Sequence, residues 1–257
     1  MSNTWEEIKI DSSSFEYIDL KGLLLRTFIP TAVLSAIYFI LGNMITAIPQ
    51  LLLFLILATC ILIPAELGLI FYTSKKEYGN YSLKSAFVNF EKMPIWKILI
   101  YGFIFFCIAG LLSSFVTPVE MRVCETVKTL LYQSMSVGFD WTDFAYMKSF
   151  SKPIIITLIV FYGFFNVLLG PITEELFFRG YLTSHYYKQG RITPVMISVL
   201  FSLYHLWLPF DNLFRILAFL PAYCFTYKKK NIYIGICFHC LCNAFSFISL
   251  ARALLVS

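Results

Sequence analysis

Charge is scarce in this sequence. Only 14% of its 257 residues are Asp, Glu, Lys or Arg, and only 3 are His, where a water-soluble domain carries about 25% charged residues. That scarcity excludes a soluble secreted domain, a disordered chain and a nucleic-acid-binding module. A disulfide framework is absent too: the 7 Cys are odd in number, and Cys60, Cys107, Cys224, Cys237, Cys240 and Cys242 all fall in apolar stretches. Cys237, Cys240 and Cys242 surround His239, but helical spacing turns 237 and 239 to different sides, so small apolar packing is a better reading than a zinc knuckle. Residues 1–26 carry Glu6, Glu7, Lys9, Asp11, Glu16, Asp19, Lys21 and Arg26. No short apolar core with a cleavage site follows, so no removable signal peptide is expected. Internal repeats and low-complexity segments are likewise missing.

What is abundant is apolar surface: 59% hydrophobic residues, 27 Phe and 16 Tyr, with a mean hydropathy of +0.75. The chain is expected to live in a membrane as an all-α polytopic transmembrane helix bundle. Between Arg26 and Glu66 lie 39 residues without a charge, too many for one crossing of a core that takes about 20 helical residues. Two spans share them, at about 27–46 and 49–72, and further apolar runs begin spans at 98–119, 153–173, 192–210 and 231–251. A weaker span over about 211–227 opens with Asp211 and Arg215, spaced for a local ion pair, and brings the expected total to about seven. The organisation is then a cytoplasmic segment 1–26, three spans with an external loop at 118–152 inside 27–150, and a second set of membrane helices over 150–257.

The positive-inside rule orients the bundle. With the N-terminus cytoplasmic, thirteen Lys and Arg fall inside and six outside (Arg122, Lys128, Lys148, Lys152, Arg215 and Arg252), with Lys97 at a boundary. The net charge of +5 follows from the same rule and needs no acidic partner.

An ionisable group within a span costs about 2.5–3.5 kcal/mol on insertion scales and marks a functional position. Four places qualify: Glu174-Glu175-Leu176-Phe177-Phe178-Arg179-Gly180, Phe201-Ser202-Leu203-Tyr204-His205, His239-Cys240-Leu241-Cys242-Asn243, and Glu66 after Pro64. Glu175 and Arg179 are i, i+4 and pair, while Glu174 is turned about 100° away and left free. His239 and Asn243 share one helix face, Phe201 walls a pocket for His205, and Arg179 is a plausible mate for Glu66. His185, beside Tyr186 and Tyr187, reads as interfacial. His205 lies 14 residues past Arg191 and Glu174 lies 14 before Lys188, which puts both about 21 Å from one boundary. His239 is nine past Lys230 and shallower. A straight helix over 153–188 would exceed the membrane thickness, so it kinks at Gly170-Pro171, tilts or projects.

Glu-Glu-x-x-x-Arg at 174–179, Phe-x-x-x-His at 201–205 and His-x-x-x-Asn at 239–243, in this order on successive helices, resemble the motifs of the CPBP family of intramembrane proteases, also called the CAAX-protease or Abi family. The resemblance covers about 150–250. It implies an endopeptidase acting on a membrane protein, lipidated protein or peptide in the bilayer. It also implies that Glu174 and His205 activate water, that His239 and Asn243 stabilise the oxyanion, and that Glu175 and Arg179 support them. The chemistry agrees on its own terms: hydrolysis needs a base on water and donors for the oxyanion, and a desolvated carboxylate gains basicity. No His-Glu-x-x-His and no Gly-x-Ser occurs, and helix middles lack Asp, so zinc, serine and aspartyl alternatives lack their residues. A cofactor-free glutamate mechanism is favoured; a divalent metal such as zinc would fall to Glu174, His205 and His239. The competing readings are a non-catalytic immunity or scaffold protein, of the bacteriocin self-immunity type, and a proton-coupled carrier built on Glu66, Glu174 and His205. The carrier usually shows repeat symmetry, which is not visible here. An excess of Lys (14) over Arg (6) with many Ile and Phe suggests a bacterial plasma membrane.

Overall fold

The computed structural model describes residues 15–135, 138–188 and 190–256; Glu6, Glu7, Lys9 and Asp11 of the expected cytoplasmic segment lie outside the described residues. Among the described residues the chain is helical throughout, without strands. The helices are α1 (Leu20–Met44), α2 (Gln50–Tyr78), α3 (Ile95–Gln133), α4 (Phe144–Lys148), α5 (Lys152–His185), α6 (Thr193–Leu203), α7 (Asn212–Lys229) and α8 (Ile232–Leu255). Local chemistry sets their ends. Asp19 caps α1 by accepting the Gly22 amide at 2.7 Å, Gly79 closes α2 at φ 75°, where a residue without Cβ is unstrained, and Asn231 caps α8 by accepting the Tyr233 amide at 3.2 Å.

Five of these helices, α1, α2, α3, α5 and α8, are long and apolar enough to cross a membrane, which makes the chain a multi-pass membrane protein. The other two expected spans differ. α6 has 11 residues, and α7 carries Arg215, Lys228 and Lys229 within 18. They pack on each other, joined by irregular backbone from Tyr204 to Asp211, where Asp211 sits at φ 57°. Non-helical backbone beside membrane helices is tolerated where it is buried in protein or lines a cavity, and this connection does line one.

The segment expected as a loop over 118–152 is largely helical. α3 runs on through Pro118 to Gln133 and α4 follows, because the exposed apolar series Leu111, Phe115, Val119, Val123 and Val127 continues the helical period past the Pro. The extension carries Glu120, whose two carboxylate oxygens accept the Leu213 and Phe214 amides at 2.7 and 2.8 Å, so α3 caps the N-terminus of α7. The expected Asp211–Arg215 ion pair does not form. Asp211 is left-handed and off the helical face, and Arg215 instead donates to the Ser202 carbonyl at 3.1 Å and to Asn212 Oδ1 at 3.2 Å.

At the opposite end, His185 is fully buried rather than interfacial. The backbone of Ile18 bridges to Tyr186, Phe15 stacks on the imidazole at 4.8 Å, and His185 Nε2 lies 3.1 Å from Glu77. The segment before α1 thus covers a position that sequence pattern leaves at the surface. Glu120→Ala is expected to lower the melting temperature in detergent, with a loss of about 1–2 kcal/mol for an anionic cap. The exposed Glu125→Ala on the same helix should melt like the wild type.

Candidate active site

α2, α5, α6 with the connection after it, and α8 enclose a cavity of about 510 Å³ lined by Glu66, Glu174, Tyr204, His205, His239 and Asn243. The three motifs therefore meet in one place. Glu175 and Arg179 stand behind this lining, both buried and paired with each other. From Glu175 to Leu182, and again over Tyr162–Leu169, α5 winds with i→i+5 hydrogen bonds, the widened geometry that recurs at functional sites. These two stretches flank Gly170-Pro171, the expected kink, and the helix runs through it.

Glu174 and Glu175 diverge on α5, yet Glu174 is not free of the pair. His239 lies between them, with Nδ1 3.0 Å from Glu175 Oε1 and Nε2 3.7 Å from Glu174 Oε2. An imidazole presents its two nitrogens in different directions, so a single ring reaches carboxylates that cannot face each other. His205 is fixed differently. Its Nδ1 lies 2.8 Å from the Phe201 carbonyl; a carbonyl only accepts, so the neutral ring carries its hydrogen on Nδ1 and leaves Nε2 as an acceptor. Asn243 donates through Nδ2 to the Asn166 carbonyl at 2.7 Å, inside the first widened stretch of α5, which locks its amide and leaves one N–H. Phe201 packs edge-on against both imidazoles, at 5.0 Å from His205 and 5.6 Å from His239.

Sequence reasoning misassigns Glu66 and misses Tyr204 and Arg215. The Glu66 partner is not Arg179, which is committed to Glu175 and covered by the Tyr223 ring. Tyr204 Oη donates to Glu66 Oε1 at 2.7 Å and lies 3.3 Å from Glu174 Oε1, linking the two acids. Helical spacing would turn Tyr204 away from His205, but α6 ends at Leu203 and both residues reach the cavity. Arg215 also lines it; an Arg inside an apolar run was the available signal, and the presumed pairing with Asp211 concealed it. Arg179 and Arg215 are thus site residues rather than loop charges. Removing one from each side of the charge count leaves its bias unchanged.

Zinc at Glu174, His205 and His239 does not fit this arrangement. Among the described residues no three His, Cys, Asp or Glu side chains converge as metal ligands, and His205 Nδ1 is engaged with backbone.

The Glu175–Arg179 pair fits because α8 passes it at Gly235. A Cβ there would strike Glu175 Oε2 and lie 3.0 Å from Arg179 Cδ. One turn further along α8 stands His239.

With this geometry in hand, comparison with known families is informative. Residues 156–245 match the family described as type II CAAX prenyl endopeptidase Rce1-like, so this part of the chain, which holds all three motifs, is an Rce1-like CAAX-protease domain of the CPBP type. No curated protein and no solved structure matches the chain.

Gly235→Ala is expected to lower thermal stability by about 1–3 kcal/mol, the usual penalty of overpacking. Gly68→Ala, where a Cβ would meet nothing within 4 Å, should be neutral or raise stability by up to about 1 kcal/mol; paired melting curves in detergent check both.

Proposed function

We propose that the protein is an intramembrane endopeptidase that hydrolyses a peptide bond in a membrane-associated or lipidated protein or peptide, without a metal. The observation that carries this reading is the convergence of Glu174, His205, His239 and Asn243 on one cavity, within the segment that matches the Rce1-like family. Glu174 is the general base. It removes a proton from water while the free Nε2 of His205 accepts the second hydrogen and orients the oxygen toward the scissile carbonyl. His239 and Asn243 supply N–H groups for the carbonyl oxygen as it becomes tetrahedral. Glu175 and Arg179 are positioning residues that hold the His239 ring. Glu66 acts through Tyr204, whose phenol fixes the side of the Glu174 carboxylate turned away from the water. The proton taken by Glu174 passes to the leaving amine, so atoms and charge balance over the cycle.

Glu174→Gln is expected to abolish cleavage of a peptide library by the purified protein without changing its melting temperature, since size is kept and basicity is lost. A folded Glu174→Gln protein cleaving at the wild-type rate would remove Glu174 from this role, and wild-type protein with no cleavage of any membrane-anchored or lipidated peptide would favour the immunity or scaffold reading. Glu175→Gln should lower stability as well, by about 3 kcal/mol, because Arg179 is left buried without its counter-charge.

We propose further that the N-terminus is cytoplasmic and that the site opens to that side, in the plasma membrane of a bacterium. Single cysteines at Lys188 and Lys229, both exposed, should react with an impermeant thiol reagent only after cells are opened, and one at Leu130 should react from outside. The opposite pattern would invert the topology and move the site toward the outer leaflet, favouring exported peptides as substrates.

A further inference from the structure

A second cavity, of about 350 Å³, opens at the end of the bundle where α5 and α7 finish and α8 begins. Its lining includes three cationic side chains, Arg179, Lys228 and Lys230, and no carboxylate. Lys230 leans on Glu91 at 3.0 Å, whereas Lys228 has no ion pair among the described residues. Deeper in, Tyr223 and Thr226 contribute hydroxyls that are buried and have no hydrogen-bond partner, and the guanidinium of Arg179 keeps Nε and Nη2 unbonded. Tyr223, Thr226 and Arg179 are respectively 2%, 3% and 6% exposed. An unsatisfied buried polar group costs about 1–3 kcal/mol, so several around one cavity identify positions where a ligand supplies the missing acceptors.

The chemistry of that ligand follows from the lining. Donors and positive charge predominate, so the ligand is an anion rich in acceptor oxygens. A carboxylate offers two oxygens, too few for two hydroxyls, a guanidinium edge and a lysine; a phosphate group offers more and meets Arg in the fork geometry it prefers. Lys84, Lys92, Lys188 and Arg191 lie in the connections at this same end of the bundle, and basic pockets between membrane helices at a charged boundary suit lipid phosphates. We infer that this cavity is a binding site for a phosphate-bearing anion, either the headgroup of an anionic phospholipid or free phosphate. The inference is independent of the endopeptidase reading. Arg179 joins the two sites physically, because the guanidinium that faces this cavity is the one that holds Glu175, and Glu175 holds His239.

The test uses the purified full chain in a neutral detergent, titrated with inorganic phosphate, dioctanoyl phosphatidylglycerol or dioctanoyl phosphatidylcholine, with binding read by native mass spectrometry and by the shift in melting temperature. Saturable binding and stabilisation are expected with phosphatidylglycerol or phosphate and not with phosphatidylcholine. A preference for the lipid over phosphate assigns a headgroup site; equal or better binding of phosphate assigns a free-anion site. The double variant Tyr223→Phe and Thr226→Val should bind at least tenfold more weakly while melting, without ligand, at or above the wild-type temperature, since it removes only unpartnered hydroxyls. Lys228→Gln, at the exposed rim, should weaken binding severalfold with its fold untouched, and it decides the matter if the double variant folds poorly. Wild-type protein that binds neither phosphate nor phosphatidylglycerol saturably, or binds phosphatidylcholine equally well, would overturn the assignment. So would variants that bind like the wild type.

Discussion

A glutamate and an arginine buried together among apolar helices set the terms for the rest of this molecule. Separated, Glu175 and Arg179 would each carry an uncompensated charge in a dry interior, at a penalty of about 3–5 kcal/mol, so the helices around them must close without prising them apart. Gly235 lets α8 pass at backbone distance, and the Tyr223 ring covers the guanidinium. The carboxylate then has one direction left for a further partner, and His239 occupies it. Ring orientation at the cavity is thus inherited from an ion pair outside it.

The cavity itself exists because the bundle is interrupted. α6 stops after 11 residues, and the backbone that follows delivers Tyr204 and His205 together, which a continuing helix would place on different faces. Such an interruption leaves the first amides of α7 in need of acceptors, and Glu120 provides them from α3. The length of α3 beyond a single membrane thickness is therefore tied to the break between α6 and α7. Hydrolysis requires water at a depth where lipid excludes it, and a break lined with hydroxyl, imidazole and carboxylate groups is a place for water to reside.

Much of this was legible beforehand, for physical reasons. Ionisable residues in apolar helices are so unfavourable that each has a purpose, which is why Glu174, His205, His239 and Asn243 stand out and why equal distances from the flanking charges place Glu174 and His205 together. The pairing of Glu175 with Arg179 follows from i, i+4 geometry alone. The failures share one origin, the assumption of regular helices. Arg215 was assigned to Asp211 because regular spacing allows it, whereas a left-handed Asp211 does not. Glu66 was assigned the nearest charge of opposite sign, when the residue that meets it is a phenol released by the end of α6. His185 looked interfacial because nothing in its own helix hides it; the cover comes from residues 15–18, far away in sequence.

The widened turns of α5 have a consequence for how this chain tolerates change in length. A π turn is an α turn that has accepted one extra residue, so the stretch from Glu175 to Leu182 holds a surplus in its register. Deleting a single residue after Arg179 would let the backbone relax into an ordinary α-helix with every hydrogen bond made and hydrophobicity nearly unchanged. All that follows would nonetheless turn by about 100°, carrying the end of α5 away from the Ile18 bridge and from Glu77. Substitutions test the chemistry of single side chains; a length change here acts on phase, and its effect is felt at the far end of the helix before it is felt at the carboxylates.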